Sequence, residues 1–279
     1  MNEDEVVVLD EPLRRGGTLL ARELLTANGG KGLNQAVAAA VTGAPCALIG
    51  RVGTDAAGER VLDAARRAGV DVGGVRRSVD RPTGRAIVFV EPDGESTIAV
   101  VTGANGALRP EDLPQFYASD VVLAQLEVPV ATVRAAFGAA RKAGARSVLS
   151  LSPLVPGARE LVPMADLLVC NRGEAASMLG RALDDDPTAL AKGLLAMGVT
   201  TAVVTLGADG AVLANATGAS EFPAVQPRVV RDTTGAGDAF LGALTAALAM
   251  GLPVEASIQK GLLAGARAVE DLGAQRISQ

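Results

Sequence analysis

The sequence has no histidine and no tryptophan, and among its 279 residues there are one tyrosine and two cysteines. Without histidine, Ser-His-Asp triads, Cys-His dyads and histidine-ligated metals are excluded. Cys46 and Cys170 lie far apart, each beside an apolar run, and are expected as two separate buried thiols, not a disulfide. No apolar run reaches the ~20 residues of a membrane span, and the acidic start does not look like a secretory signal. A soluble, cytoplasmic protein with no membrane partner is expected. With a formal net charge of −5, only 2% aromatic residues and no long basic block, a nucleic-acid partner is not expected either. The chain also lacks G-x-x-x-x-G-K-[ST], and no strand pattern is followed by G-x-G-x-x-G with an acidic residue further on. P-loop and dinucleotide-binding architectures are thereby set aside. Chemistry must run on carboxylates, lysine, hydroxyls, backbone amides and an oxygen-ligated cation.

Apolar residues make up 49% of the chain, enough for a large core. Short β-branched runs alternate with alanine-rich helical patterns, which is the α/β signature. Strands are expected at 46–53, 121–127, 147–153, 166–171 and 201–207. Helices are expected at 56–68, 130–143, 172–180, 187–197, 235–250 and 254–269. Right-handed crossovers then give a mainly parallel sheet, with ligands gathering beyond the carboxyl ends of its strands. Residues 5–25 and 84–101 read as strands without an intervening helix, the second holding a Pro-Asp-Gly turn. They suggest a small separate sheet acting as a lid. The division that follows is a core of 26–83 with 104–279 and a lid of 1–25 with 84–103.

Several glycine-rich turns carry the candidate chemistry. "RDTTGAGDAF" (231–240) follows an apolar strand pattern at roughly 222–230 and opens a helix. Gly235, Ala236 and Gly237 let consecutive N–H groups face an anion at the helix N-terminus. Asp238, in the first turn, could take a proton from an attacking hydroxyl, or could simply favour the helix dipole. "NGGKGLNQ" (28–35) offers Gly30, Lys31 and Asn34 to a polar ligand, or is an ordinary turn. Asn171 and Glu174 stand three apart where a strand meets a helix, a spacing that suits hydrated Mg²⁺ or a capping box. "TLGADG" (205–210) and "IGRVGTDAAG" (49–58) could be purely architectural.

Taken in order, "NGGKGLNQAVAA", "GRVGTDAAGE", "TGAN", "AQLE", "NRGE", "TLGADG" and "DTTGAGDAFLGAL" resemble the ribokinase (PfkB) family of sugar and nucleoside kinases along essentially the whole chain. The resemblance implies an αβα sandwich with a β lid that moves the γ-phosphate of ATP onto a primary hydroxyl. Asp238 would be the general base, and the amides of Gly235, Ala236 and Gly237 the anion hole. Asn2, Asp4, Gly30, Lys31, Asn34 and Glu127 would hold the sugar, a set closest to the members that make ribose 5-phosphate from D-ribose. Asn171, Thr205, Gly207, Gly210 and Gly237 would meet ATP, with Glu174 holding Mg²⁺ through water. Asp232, Thr234, Ala268, Asp271 and Gly273 would hold a monovalent cation such as K⁺. A homodimer through the lid is a further implication. A nucleoside kinase on the same scaffold and a non-catalytic binding relic are the alternatives.

The sequence also departs from the family pattern. Leu262 replaces a polar residue near the adenine, Ser152-Pro153-Leu154 replaces Asn-Pro-x-Pro, and Ile277 stands in the cation segment. Asn28 takes an aromatic position. Only Met1 precedes the N-x-D pair, and "GAQRISQ" replaces the usual closing segment. A start further upstream in the gene, or a defective copy, is therefore expected.

Overall fold

In the computed structural model, residues 1–92 and 96–270 are described. The chain opens with antiparallel strands β1 (Asn2–Leu9) and β2 (Ala21–Gly29), then turns at Gly30 into helix α1 (Lys31–Thr42). A parallel pair follows, β3 (Gly50–Gly53) and β4 (Val75–Ser78), joined by α2 (Ala56–Arg67). Strands β5 (Gly84–Val90) and β6 (Ser96–Val101) return to the first pair, giving a four-stranded sheet ordered β2-β1-β5-β6. The large unit then alternates as expected through β7 (Val121–Ala124), α3 (Val130–Ala143), β8 (Arg146–Ser150), β9 (Leu167–Asn171) and α4 (Arg172–Leu179). It continues with α5 (Pro187–Leu195), β10 (Thr201–Thr205), β11 (Ala211–Asn215) and β12 (Gly218–Phe222), and ends on α6 (Ala236–Ala249) and α7 (Val254–Ala268). Six of these strands form one sheet ordered β12-β11-β10-β9-β8-β7, parallel from β7 to β10.

Both faces of that sheet are covered, so its central strands are apolar throughout. On β9, Leu168 and Cys170 join the cluster under α3, α4 and α5, with Phe137, Leu149, Leu190 and Leu194. Leu167 and Val169 point the other way, into the cluster formed by Phe240, Leu241, Leu244 and Ile258 of α6 and α7. This two-residue alternation inside an unbroken apolar run makes the expected αβα sandwich. Cys46 and Cys170 are both free thiols, but only Cys170 is buried as expected, Cys46 being half-buried at the edge of its cluster.

Helix limits follow local chemistry. Gly144 in the left-handed region closes α3, its N–H returning to the Ala140 carbonyl. Asp55 caps α2 by accepting from Gly58 N at 3.0 Å, and the same carboxylate takes the N–H and hydroxyl of Thr83 at 2.9 and 2.6 Å. These bonds hold the Asp55 carboxyl below its ordinary range despite an opposing contribution from burial. The helix cap therefore also anchors the entry to β5.

Two expectations need correction. The apolar run at 222–230 is not a strand: β12 ends at Phe222, and Pro223 and Pro227 cannot donate to a ladder. Val229 and Val230 stay exposed there, on an irregular segment leading to α6. The strand expected from residue 46 pairs with β4 only from Gly50; before it, Ala47 makes an isolated bridge to Asp71. Asp93 and Gly94 of the expected turn, with Asp271, Gly273 and Ile277, lie outside the described residues.

Helices α1 and α6 pack so closely that a Cβ on Gly242 would come 2.4 Å from the Gln35 carbonyl and 2.5 Å from Ala38 Cβ. Backbone cannot yield cheaply, so Gly242→Ala is expected to cost about 1–3 kcal/mol. Urea denaturation of the two proteins checks this, and an unchanged midpoint would refute the close approach.

Candidate active site

The carboxyl ends of β7 to β10 lie along one edge of the sheet, and Asn171 pairs in register with Thr205 there. Opposite them, Gly235 takes the left-handed φ of 78° that starts α6. The N-terminus of α6 is thereby aimed at the strand ends. A cavity of about 130 Å³ between them is lined by Lys31, Ser152, Asn171, Glu174, Gly235 and Asp238, among others. A larger groove of about 660 Å³ adjoins it, sharing Thr205, Gly237 and Phe240. Gly207, Gly210, Ala224, Val225, Leu262 and Ala266 help to form the groove, a mostly apolar setting suited to a flat ring.

Asp238 is 8% exposed. Its Oδ2 accepts from Asn34 Nδ2 at 3.1 Å, and its Oδ1 from Gln35 Nε2 at 2.9 Å. Burial raises its carboxyl above the ordinary aspartate range, while the Lys31 ammonium and the two amides oppose that rise. A carboxylate shifted toward neutrality is better matched to accepting a proton near pH 7. Gly235 and Gly237 line the cavity beside it. Ala236 instead borders the groove, and its N–H reaches the Thr233 carbonyl at 3.3 Å.

The other polar candidates converge from the lid side. Lys31 N–H donates to Glu127 Oε2 at 3.0 Å, linking the start of α1 to the segment after β7. A Cβ on Gly29 would lie 1.9 Å from Asp4 Oδ2, so this glycine makes room for that carboxylate. Gly30, with φ of 90°, lies against the Asn2 nitrogen in the same way. Asp4 Oδ1 is buried without a hydrogen-bond partner. Burial, then Glu127 and, more weakly, Asp238 push the Asp4 carboxyl up to about 6, against the pull of the Met1 amino group. Of the six expected sugar residues, Lys31 lines the cavity with Asp238 and Asn34 bonds its carboxylate, while Asp4 and Glu127 are near enough to act on each other's charge and Asn2 and Gly30 lie beside them.

Asn171 and Glu174 form the capping box. Asn171 Oδ1 accepts from Glu174 N at 2.8 Å, and Glu174 Oε2 accepts from Asn171 N at 2.9 Å. Both still line the cavity. Among the described residues, no cluster of three acidic or cysteine groups could grip a metal directly. In the loop before α6, Asp232 Oδ1 accepts from Thr234 N at 2.9 Å, and Arg231 N–H donates to the Val269 carbonyl at 2.7 Å. This bond ties the 231–234 loop to the end of α7, next to Ala268. Gln35, a direct partner of Asp238, was not among the sequence candidates; its signal was adjacency to Asn34 on the buried side of a helix that faces Asp238.

Fold and site together define an ATP-dependent kinase built as an αβα sandwich with a β lid. A model of the pfkB family of carbohydrate kinases matches residues 5–279, and the chain belongs to that family. It is 34% identical over 264 residues to a ribokinase from Schizosaccharomyces pombe, covering 89% of this chain and 82% of that protein. It is 32% identical over 269 residues to a bifunctional ribokinase/ribose-5-phosphate isomerase A from Fructilactobacillus sanfranciscensis. There the match covers 94% of this chain but 49% of the relative, so the chain spans about half that protein's length. The solved ribokinase of Arabidopsis thaliana, complexed with ribose and ATP, superposes with a TM-score of 0.88 at 28% identity, covering 98% and 91% of the two chains. No helix among the described residues is long and apolar enough to cross a membrane.

The Asp4 shift makes a thermodynamic prediction. With a folded value near 6 against an unfolded value near 3.9, the native state holds this proton more tightly. Its contribution to stability is complete below about pH 4 and is lost as pH rises through about 6. Asp4→Asn should therefore become more stable relative to the parent by about 2–3 kcal/mol between pH 4 and pH 7. Urea denaturation at both pH values reads the difference, and a pH-independent difference would refute the shift.

Proposed function

We propose that this protein transfers the γ-phosphate of ATP to the primary hydroxyl of D-ribose, forming ribose 5-phosphate and ADP. The observation that carries this reading is the place of Asp238. It is buried at the first turn of α6, where a small polar cavity meets a larger apolar groove. The cavity suits a polyol and the groove a nucleotide. In this reading Asp238 accepts the hydroxyl proton as the sugar oxygen bonds to the γ-phosphorus, and the bond to ADP breaks with its electron pair leaving on ADP. The Gly235 and Gly237 amides stabilise charge on the transferring group, while the Ala236 N–H, also expected there, is held by the Thr233 carbonyl. Asn2, Asp4, Gly30, Lys31, Asn34 and Glu127 orient the sugar, and Asn171, Thr205, Gly207, Gly210 and Gly237 line the path of the nucleotide. The relatives that carry the name ribokinase support the choice of sugar.

Glu174 fits a role toward Mg²⁺ through water, because the capping bond uses one oxygen of its carboxylate, and Mg²⁺ commonly keeps several of its waters. When bound with ATP, Mg²⁺ would neutralise charge on the phosphates. Asp232, Thr234 and Ala268, with Asp271 and Gly273, are proposed to hold K⁺. One face of the lid exposes Leu25, Ile98 and Val100, and we assign that face to a homodimer contact.

A coupled ADP-release assay with ribose, 2-deoxyribose, fructose and adenosine tests the proposal, with ribose expected to have the highest kcat/KM. Turnover of adenosine alone would move the assignment to a nucleoside kinase, and no turnover with any acceptor would leave a binding protein. Asp238→Asn is expected to lower kcat about 10²–10⁴-fold while the protein stays folded. Retention of most activity would remove Asp238 as the base.

A further inference from the structure

We propose that Asn105 is a positioning residue that fixes which end of the Asn2 side-chain amide faces the sugar. Asn105 lies on a short 3₁₀ segment, Gly103–Ala107, where the chain leaves the lid after β6, and its side chain is 2% exposed. Met1 N donates to Asn105 Oδ1 at 3.1 Å, while Asn105 Nδ2 donates to the Met1 carbonyl at 2.9 Å and to Asn2 Oδ1 at 2.8 Å. The two Met1 groups are backbone, one a donor and the other an acceptor, so they leave the Asn105 amide a single orientation. That orientation sets the next one: Asn2 must turn its oxygen to Asn105 and keep its two amide hydrogens for other partners.

The surroundings leave little play. A Cβ on Gly84 would lie 2.3 Å from Asn105 Nδ2 and 2.4 Å from Asn2 Oδ1, so the amide pair occupies the space a side chain there would need. Ala104 N–H donates to the Pro82 carbonyl at 2.8 Å, and a Cβ on Gly103 would lie 2.5 Å from the same oxygen. On β1, Asn2 and Asp4 face the same side. Asn2 therefore presents a donor and Asp4 an acceptor side by side, a pairing matched to neighbouring hydroxyls. Asn105 touches neither sugar nor ATP in this account and acts through Asn2 alone. The inference rests on the sugar-kinase reading above.

Steady-state kinetics with ribose and ATP test it on the full chain, using Asn105→Ala and the near-isosteric Asn105→Asp, each with and without Asn2→Ala. An ionised carboxylate at position 105 would repel both oxygens that Asn105 now donates to, turning the Asn2 amide around. Each Asn105 variant is expected to raise the sugar KM about tenfold, with kcat and the ATP KM changed less than about threefold. In the Asn2→Ala background, either change should add less than about twofold, because both act through the same contact. Thermal melts confirm folding, and Asn105→Asp carries the test if Asn105→Ala does not fold. An unchanged sugar KM, effects that multiply in the double variants, or an equal loss in kcat would each overturn the inference. If the parent turns over ribose and the variants keep its KM, only the role of Asn105 fails. If the parent turns over no sugar, the functional reading falls and takes this one with it.

Discussion

The close packing of α1 on α6 governs both halves of the site. Asp238 stands at the start of one helix, and its two hydrogen-bond donors, Asn34 and Gln35, stand near the start of the other. Gly242 lets the backbones approach, and the approach lets short amide side chains reach a carboxylate buried at the helix N-terminus. Lys31 and Gly30 lead into α1, so the same packing that holds Asp238 also sets the wall opposite it. The first turn of α6 presents Gly235 and Gly237 to one cavity, and Ala236 borders the next. A small rotation between the two helices would displace Asp238, Lys31 and the first turn of α6 together.

Electrostatics around this packing are deliberately unbalanced. Asp4, Glu127 and Asp238 are close enough for Asp4 to feel both of the others, while Lys31 opposes the rise at Asp238. Buried carboxylates without enough donors tend to hold protons and to cost stability. The unpartnered Asp4 oxygen thus carries a cost of the kind that a hydrogen-bond donor relieves and an apolar group does not.

Much of this was legible in the sequence because it depends on local patterns. The α3 limits could be read from its proline before and glycine after, and the α6 start from the glycine turn ahead of an alanine-rich run. Asp238 was legible for the same reason, standing one residue after the last glycine of that turn. The irregular path from Pro223 to Val230 was not, since its valines suggest a strand and only the prolines and the missing neighbour strand decide otherwise. Gln35 and Asn105 were hidden because their value lies in partners about 200 and 100 residues away, 203 for one and 103 and 104 for the other. The Asn171–Glu174 pair shows the opposite case: its capping geometry was readable, while its position on the cavity wall required the fold.

The lid is anchored unevenly, and Asn2 and Asp4 sit at the anchored end. Asn2 and Glu3 at the start of β1, Gly29 at the end of β2 and Gly84 at the start of β5 are buried, whereas most of β2 and all of β6 are exposed. Glu3, itself buried, pairs with Arg60 of α2, and Asp55 holds Thr83 just before β5. Arg60 is half exposed, so that pair serves chiefly to satisfy the buried Glu3 charge. Strand β1 is thereby fixed to the core at the end that carries Asn2 and Asp4, and its outer end continues into the exposed chain after Leu9. The base of the four-stranded sheet is therefore held to the core by bonds that do not involve its exposed outer strands.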